Sequence, residues 1–345
     1  MTGFAEKLIA WHKRHGRHDL PWQATRKPYA IWVSEIMLQQ TQVATVIPYY
    51  RRFLERFPDI SALAAAPLDD VLVQWSGLGY YSRARNLHRA AQAIVREHRG
   101  RFPVDFEGVL ALPGIGRSTA AAICAFAFGA RRAILDGNVK RVLTRHFAIR
   151  GYPGEKRVEA ALWRKAESLL PKKHIAAYTQ ALMDLGAGLC TRRQPRCPVC
   201  PLVAECVAYK KGLTGQLPEP KPRKTLPRRK TVMLVLQHAG EVLLERRPPT
   251  GIWGGLWCFP ETEPGDDLDK ICSERFGARL DTARSLPELE HGFTHFRLTI
   301  IPRWVQATRL QPRAAEPGHV WLPVEAAGAA AVPAPVRRIL AMLCG

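Results

Sequence analysis

The segment that most constrains the fold is GQLPEPKPRKTLPRRK, residues 215–230. Its prolines prevent regular helix or strand and its basic side chains repel one another, so the segment is predicted to be a linker. A chain of 345 residues is long enough for two compact domains, each with its own hydrophobic core. We therefore expect one domain over residues 1–214 and a second over residues 231–345.

The two sides of the linker differ in hydrophobic periodicity. Before it, segments such as RVEAALWRKAESLL repeat apolar residues every three or four positions, which is typical of amphipathic helices. Beyond it, TVMLVLQ, EVLLERR and FRLTIIPRWVQA are β-rich with a period of two, and the HAG turn between the first two predicts a hairpin. We expect an all-α domain followed by an α+β domain.

The net charge limits the class of partner. Lys and Arg outnumber Asp and Glu by 51 to 30, so the formal charge is +21. A polyanion is the simplest partner, and basic residues interleaved with aromatics and Gly turns favour a folded nucleic-acid surface. The longest apolar stretch, AAAICAFAFGA, is shorter than the roughly 18 residues of a spanning helix, and the first residues lack a signal-peptide core. We expect a monomer in the bacterial cytoplasm, associated with the nucleoid through DNA and not with a membrane.

Four of the eight cysteines fall in CTRRQPRCPVCPLVAEC with the spacing C-x6-C-x2-C-x5-C; they are Cys190, Cys197, Cys200 and Cys206. Eight cysteines are too sparse for a disulfide scaffold in a chain this long, so the clustered set indicates a metal. Four thiolates in a short loop suit either a [4Fe-4S] cluster or tetrahedral zinc, and the spacing alone leaves both open. We favour a structural role, in which the metal stiffens a basic surface for phosphates, over redox chemistry.

The segment LPGIGRSTAAAICAF predicts a tight turn followed at once by a helix. Gly114 and Gly116 can adopt positive φ, and Ser118 lies in the first helical turn. Free N–H groups and the positive end of the helix dipole would then form a phosphate clamp that is indifferent to DNA sequence. The same residues also fit an ordinary connection between two helices that does not contact DNA. The net charge favours the DNA-binding interpretation.

Two carboxyl groups are candidates for acid–base chemistry. Glu35 lies in the apolar run VSEIMLQQTQV, where desolvation should raise its pKa unless the side chain faces water on an amphipathic helix. Asp136 ends the apolar part of AILDGNVKRVL and precedes a helix, so N–H groups at the helix start should lower its pKa. Each carboxyl group alone also fits an ordinary structural role.

Five segments together resemble a known superfamily. SEIMLQQTQV, GLGYYSRARNL, LPGIGRSTA, LDGNVKRV and the four-cysteine loop occur in the order and spacing of the endonuclease III superfamily of helix-hairpin-helix glycosylases, and they resemble the adenine DNA glycosylase family within it. The resemblance implies a [4Fe-4S] cluster on the cysteines. It also implies that Glu35 protonates adenine N7 and helps to activate water, while Asp136 stabilises the oxocarbenium-like sugar, electrostatically or through a transient adduct.

Such chemistry cannot occur within stacked duplex DNA, so the adenine must be flipped out. By resemblance, Gln40 and Thr41 probe the gap, while Tyr80 wedges beside the opposite base. The implied DNA contacts are Gln40, Thr41, Leu78, Tyr80, Gly114, Gly116 and Ser118, and the implied adenine contacts are Trp22, Asn138 and Gln180. Ser118 occupies the place of the Schiff-base lysine of bifunctional relatives, so we predict a monofunctional glycosylase with little or no lyase activity.

Residues 231–345 resemble the Nudix-like C-terminal domain of the same family, through ERRPPTGIWGGLWCFPE and HGFTHFRLTI. The segment DLDKICSERFGARL lacks the paired glutamates that bind Mg²⁺ in hydrolytic Nudix enzymes, so pyrophosphate hydrolysis is not expected. The resemblance implies that Phe293, Thr294 and His295 inspect 8-oxoguanine opposite the adenine. The implied substrates are duplexes with A:8-oxoguanine or A:G mispairs.

Two other hypotheses remain. An architectural or lesion-binding DNA protein would use the two acids only as helix caps, and it would bind an A:8-oxoguanine duplex without creating an alkali-labile site. A bifunctional pyrimidine-damage glycosylase would cut the strand without alkali. Replication or repair proteins are expected as further partners.

Overall fold

The computed structural model describes residues 3–222, 225–309 and 318–344. The chain divides into a first unit, Met1–Ala65 with Asn86–Arg223, and a second unit, Ala66–Arg85 with Lys224–Gly345. The segment 66–85, which the sequence places in the helical domain, thus groups with the β-rich part of the chain. Residues 223 and 224 of the predicted linker lie outside the described residues. In the described part of the chain, no helix combines the length and the apolar character needed to cross a membrane.

The part of the chain before the linker is helical, as predicted. Its helices are α1 (Phe4–His15), α2 (Pro28–Leu38), α3 (Val43–Arg56), α4 (Ile60–Ala65), α5 (Leu68–Trp75), α6 (Ser82–His98), α7 (Phe106–Ala111), α8 (Arg117–Phe128), α9 (Gly137–Phe147), α10 (Lys156–Ser168), α11 (Ile175–Asp184) and α12 (Val207–Lys210). A π-helical segment, Leu185–Leu189, continues α11 toward the four-cysteine loop. Part of the core of the first unit is formed by Leu8, Leu143, Leu162 and Leu182.

Local sequence explains where the helices around the site begin and end. A proline opens α2 at Pro28, where its missing N–H costs nothing. The predicted turn before α8 is present, with Gly114 at φ 80° and Gly116 as the N-cap. A Cβ at Gly114 would lie 2.6 Å from Asn86 Cβ, so both the backbone angle and the packing require glycine there. Helix α8 ends at Gly129 in the left-handed conformation.

The second unit contains a mixed sheet. Its strands are β1 (Arg228–His238), β2 (Glu241–Arg246), β3 (Trp257–Cys258), β4 (Glu261–Thr262), β5 (Ala278–Ser285), β6 (Leu289–Gly292), β7 (Arg297–Arg309) and β8 (His319–Pro323). The strand order is β3-β2-β1-β7-β5, with β4 beside β1, β6 beside β7 and β8 beside β2. Three helices accompany the sheet: α13 (Leu268–Phe276), α14 (Val324–Ala329) and α15 (Ala334–Leu343). The α+β prediction is confirmed.

The central strand β1 shows both a confirmed and a corrected prediction. The hairpin with β2 is confirmed, because His238 pairs with Glu241 across a turn in which Ala239 and Gly240 have positive φ. The expected alternation of buried and exposed residues is not observed, since residues 232–236 are all buried. Met233 and Val235 belong to one core cluster and Leu234 to another. A strand covered on both faces is apolar throughout.

Candidate active site

Glu35 lies on the wall of a cavity in the first unit. The cavity has a volume of about 300 Å³. Helix α2 is buried on nearly all sides, so Glu35 does not lie on a water-facing stripe, which was the alternative left open by the sequence. Burial raises the pKa of Glu35 to about 8, and the negative charge of Asp136 adds to this effect. The predicted direction of the pKa is confirmed.

Asp136 caps helix α9, as predicted. Its Oδ1 accepts a hydrogen bond of 2.8 Å from the Val139 N–H, and its Oδ2 accepts one of 3.4 Å from Asn138 Nδ2. The predicted fall in its pKa is wrong, because burial raises the pKa of Asp136 by more than these hydrogen bonds and the charge of Arg141 lower it. The negative charge of Asp136 in turn contributes to the raised pKa of Glu35, so the two carboxyl groups interact electrostatically.

Asn138 stands beside Asp136 rather than on the cavity wall. Its Oδ1 accepts a hydrogen bond of 2.8 Å from the Arg141 guanidinium, which also donates to the carbonyl oxygen of Gly186. A Cβ at Gly186 would lie 2.6 Å from Asn138 Cβ, so the π-helical segment approaches α9 closely only because it carries glycine there. Asn138 thus positions Arg141 near the Asp136 carboxylate.

Gln180 and Trp22 do line the cavity with Glu35. The Gln180 Nε2 donates a 2.9 Å hydrogen bond to Asp184 Oδ1, and Asp184 also accepts from the backbone N–H and the Nε of Arg17, both at 2.8 Å. Burial acts to raise the pKa of Asp184, but hydrogen bonds from His12, Arg17 and Gln180 outweigh it and lower the pKa. An ionised carboxylate only accepts, so Gln180 must donate to it, and its Oε1 is left for the cavity.

The wall of the cavity is otherwise formed by residues of several helices and the turn before α2. They are His12, His18, Gln23, Thr25, Arg26, Ile31, Ser34, Phe126, Ala176 and Ala177. A cavity with aromatic and aliphatic side chains beside a carboxyl group and an amide oxygen can hold a flat heteroaromatic ring and bind its polar edge. Sequence reasoning missed Asp184 and Arg17, although an aspartate within the apolar segment ALMDLG was a signal for the first.

Gln40 follows α2 with an unusual backbone conformation. Its φ is 58°, which a residue other than glycine rarely adopts and which costs about 1 kcal/mol. Thr41 beside it donates its N–H to the Leu38 carbonyl at 3.3 Å. The Oγ of Ser118 accepts a 2.9 Å hydrogen bond from the Leu135 N–H. That hydroxyl therefore ties the start of α8 to the segment that ends at Asp136.

The four clustered cysteines line one small cavity. It has a volume of about 30 Å³ and is also lined by Arg145, Arg196 and Tyr209. Burial raises the pKa of Cys200 to about 11, and the other three thiols contribute in the same direction. Within residues 3–222, 225–309 and 318–344, no group of three or more His, Cys, Asp and Glu side chains is arranged to hold a metal ion. The four thiols nevertheless face one cavity.

Arg145 holds the four-cysteine loop in place and was not predicted. This buried arginine donates to the Cys190 sulfur at 3.4 Å, to the Thr191 carbonyl at 2.6 Å and to the Leu217 carbonyl at 2.8 Å. Its positive charge lies beside the thiols, where it favours their ionised form. The Arg145 charge acts to lower the pKa of Cys197 and of Cys206, although burial raises both overall.

The second unit contains a larger cavity, which brings Tyr80 together with the loop of Phe293, Thr294 and His295. Its volume is about 790 Å³. Tyr80 is 46 % exposed and has a φ of 48°, so this second predicted DNA contact also has a strained backbone. Phe293 stacks on the buried Phe296 with ring centroids 4.5 Å apart. Leu78, in contrast, is only 6 % exposed.

The helical unit, its glycine-capped α8 and the two unlike carboxyl groups define the class of helix-hairpin-helix base-excision glycosylases. A model described as "HhH-GPD superfamily base excision DNA repair protein" matches residues 33–168, and a "NUDIX domain" model matches residues 231–342. A thermostable thymine-DNA glycosylase structure is similar, with a TM-score of 0.56 and 31% identity over 60% of this chain and 95% of that one. An endonuclease III–DNA complex shares the fold, with a TM-score of 0.52 and 23% identity over 61% of this chain and 94% of that one.

Relatives similar over nearly the whole chain narrow the class further. An adenine DNA glycosylase of Buchnera aphidicola subsp. Baizongia pistaciae is 39% identical over 98% of this chain and 95% of its own length. Adenine DNA glycosylases of Mus musculus and Homo sapiens are 35% and 34% identical, covering 99% and 100% of this chain and 78% and 74% of their own lengths. The chain belongs to the adenine DNA glycosylase family.

Proposed function

We propose that the protein hydrolyses the N-glycosidic bond of adenine mispaired with 8-oxoguanine or guanine in duplex DNA and leaves an abasic site. Neutral adenine is a poor leaving group, and its departure leaves positive charge on the deoxyribose. The reaction therefore needs a proton donor on the base and an anion near the sugar. The observation that carries the proposal is a carboxyl group on a cavity wall whose pKa is raised to about 8 by burial and by the negative charge of Asp136.

Glu35 supplies the proton. At neutral pH its carboxyl group is mainly protonated, because its pKa is about 8. We place adenine N7 at this carboxyl group and the exocyclic amine, a hydrogen-bond donor, at the Oε1 of Gln180. After proton transfer, the Glu35 carboxylate can accept a proton from the attacking water.

Asp136 supplies the negative charge. It is bound to the N–H of Val139 and to Asn138, so its carboxylate is oriented before the substrate arrives. In that position it stabilises the oxocarbenium-like sugar, either as a fixed anion or through a transient covalent bond.

Strand cleavage by the protein itself should be weak or absent. A lyase step requires an amine that forms a Schiff base with the sugar. The described wall of the cavity around Glu35 contains no lysine, and Ser118 uses its hydroxyl on the Leu135 N–H. The protein should therefore stop at the abasic site.

The helix start at Gly116 and the turns at Gln40 and Tyr80 are proposed to contact DNA. Gly114 and Gly116 present backbone N–H groups at the start of α8, a long-known way to bind phosphate. Gln40 and Tyr80 carry strained backbones, which persist where the surrounding structure holds a side chain for a task. In this proposal Gln40 and Thr41 probe the gap left by the flipped adenine, Tyr80 wedges beside the opposite base, and Phe293, Thr294 and His295 inspect that base, 8-oxoguanine.

We further propose that Cys190, Cys197, Cys200 and Cys206 hold a [4Fe-4S] cluster rather than zinc. The cluster, when bound, supplies rigid cross-linking of the loop and not a step of the reaction. The basic residues around the loop, including Arg192, would then face the DNA backbone in a stable arrangement. Arg145 contributes a positive charge beside the Cys190 sulfur.

The experiment that tests the proposal uses a labelled duplex with one A:8-oxoguanine pair. Treatment with the protein followed by hot alkali should cut the strand at the adenine, and omission of alkali should leave it intact. A matched duplex with a C:8-oxoguanine pair serves as the control and should stay whole. Binding with no alkali-labile site would favour an architectural protein, and cutting without alkali would favour a bifunctional glycosylase.

A further inference from the structure

The turn that carries Tyr80 has an unusual concentration of left-handed backbone. Gly77 has a φ of 103°, Gly79 a φ of 72° and Tyr80 a φ of 48°, so three residues of this short stretch lie in the region that favours glycine. The two glycines adopt such angles at little cost, whereas Tyr80 is strained there. The surrounding structure must therefore hold the Tyr80 backbone against relaxation to a negative φ.

A buried arginine on α6 binds the carbonyl groups of this turn. Arg83 is 7 % exposed, and the Nη2 of its guanidinium donates hydrogen bonds of 3.2 Å to the carbonyl oxygens of both Leu78 and Gly79. Its backbone N–H also donates to the Tyr80 carbonyl at 2.9 Å. The carbonyl oxygens of three consecutive residues thus accept hydrogen bonds from a single residue.

The Arg83 guanidinium also lies over two aromatic rings. Its central carbon is 5.3 Å from the centroid of the Trp75 ring and 5.6 Å from that of the Tyr80 ring, within the range of cation–π attraction. Trp75 is fully buried, and its indole N–H donates to the Gly79 carbonyl at 3.2 Å. The buried indole therefore anchors the guanidinium, and the guanidinium in turn contacts the partly exposed ring of Tyr80.

Arg83 keeps its positive charge at neutral pH. Burial lowers the pKa of its guanidinium to about 10, while the Tyr80 phenol acts in the opposite direction. The group is therefore protonated at pH 7, and a buried charge is costly unless hydrogen bonds compensate for it. An apolar side chain would avoid this cost, so the charge at this position is explained by what it binds, the turn and the Tyr80 ring.

A lysine would not reproduce these contacts. A guanidinium is planar and carries its N–H donors in a fixed fork, so it can bind carbonyl oxygens at its edge while it contacts aromatic rings. An ammonium is a more strongly hydrated point charge on a flexible stem. Arg83→Lys should therefore keep the charge but release the carbonyls of Leu78 and Gly79, which allows the strained Tyr80 backbone to relax.

We propose that Arg83 is a positioning residue that holds the Tyr80 side chain in the orientation in which it wedges into DNA, with Trp75 as the anchor of Arg83. This inference rests on the proposed function, because it concerns the DNA contact that is assigned there to Tyr80. Arg83 is buried, so it acts through the turn and not on the DNA itself.

The test is a double-mutant cycle of Arg83→Lys with Tyr80→Ala. Binding is measured by fluorescence anisotropy at one fixed salt concentration, since affinity for DNA depends on salt. One duplex carries a non-cleavable 2′-fluoro-2′-deoxyadenosine opposite 8-oxoguanine, and a second duplex of the same length is fully paired. With Tyr80 present, Arg83→Lys should weaken binding to the mispaired duplex about tenfold and to the paired duplex less than about twofold. In the Tyr80→Ala background, the same change should cost less than about twofold on both duplexes.

The cycle separates positioning of Tyr80 from general support of the fold. A residue that only supported the fold would weaken binding by the same factor with and without the Tyr80 ring, because a loss of folded protein does not depend on that ring. Arg89→Lys is the matched control, since it makes the same exchange at an exposed position of the same helix. Its affinities for both duplexes should equal those of the unaltered protein.

A second variant keeps the inference testable if Arg83→Lys does not fold, as circular dichroism would show. Trp75→Phe removes the indole N–H that binds the Gly79 carbonyl. It should weaken binding to the mispaired duplex by about threefold, and again only when the Tyr80 ring is present. Equal losses in the two Tyr80 backgrounds, or no loss in either, overturn the inference.

Failure of this inference can be told apart from failure of the proposed function. The unaltered protein either does or does not create an alkali-labile site in an ordinary A:8-oxoguanine duplex, and that result decides the proposed function alone. The cycle measures binding without excision, so it decides only whether Arg83 acts through Tyr80.

Discussion

Replacing Glu35 by Gln should stabilise the protein and abolish excision at the same time. The pKa of Glu35 rises from 4.5 to about 8 in the folded chain. Below pH 4.5 the carboxyl group is protonated in both the folded and the unfolded chain, so it does not affect stability. As the pH rises from there to about 8, the unfolded chain ionises while the folded chain does not, and stability is lost.

The size of the effect follows from the pKa. At about 1.4 kcal/mol per pH unit, burial of this carboxyl group costs about 3 kcal/mol at pH 7 and less than about 1 kcal/mol at pH 5. Glu35→Gln removes that cost because an amide does not ionise. For a unit of this size, the difference corresponds to a rise in the midpoint of thermal unfolding of about 10 °C at pH 7.

The assay is thermal unfolding followed by circular dichroism at pH 5 and pH 7, with Glu97→Gln as the control, since Glu97 is an exposed glutamate paired with Arg96. The gain from Glu35→Gln should grow with pH, whereas Glu97→Gln should change little at either pH. Excision should fall by at least about a hundredfold, because the amide cannot supply the proton. A gain of the same size at both pH values, or near-normal excision, would refute the reasoning.

The remaining predictions concern the metal loop, the adenine wall and the strained turn. Cys200→Ser should lose the iron, about four atoms per chain, that Cys344→Ser retains, as elemental analysis and visible absorption would show; iron retained in Cys200→Ser contradicts the cluster. Asp184→Asn should lower the free energy of unfolding by about 3 kcal/mol, measured by urea denaturation, because it leaves Arg17 without its carboxylate partner. It should also reduce excision of adenine relative to hypoxanthine, because the Gln180 amide is no longer fixed with its Oε1 toward the exocyclic amine of adenine. Tyr80→Gly should raise stability by up to about 1 kcal/mol while slowing excision opposite 8-oxoguanine in single-turnover assays, and a loss of both contradicts the strain argument.

Structural features that depend only on neighbouring residues could be predicted from the sequence. The glycines of the α8 turn, the hairpin at Ala239 and the cap at Asp136 depend on local backbone conformation, so their residue types are visible in the sequence. The direction of the Glu35 pKa was predicted from the apolar neighbours on its own helix, although distant residues such as Phe126 and Gln180 complete its surroundings. The resemblance to the family added the residue roles, which residue types alone leave open.

Interactions between distant segments were not open to prediction. The acceptor role of Asp184 toward Gln180 depends on Arg17, which is 167 positions away in the chain. Arg145 reaches the four-cysteine loop from 45 positions away. Neither contact leaves a periodic or compositional signal, because only folding brings the partners together.

The sequence by itself determined the division into a helical and a β-rich part, the thiol spacing and the helix that carries Glu35. The tertiary structure decided the sign of the Asp136 pKa, since a cap and a buried carboxyl group shift it in opposite directions and the amount of burial is set by segments far along the chain. It also decided that Tyr80 shares a cavity with Phe293, Thr294 and His295. The physical reason is that desolvation depends on everything packed around a group, whereas hydrogen bonds at a helix start depend only on the next few residues.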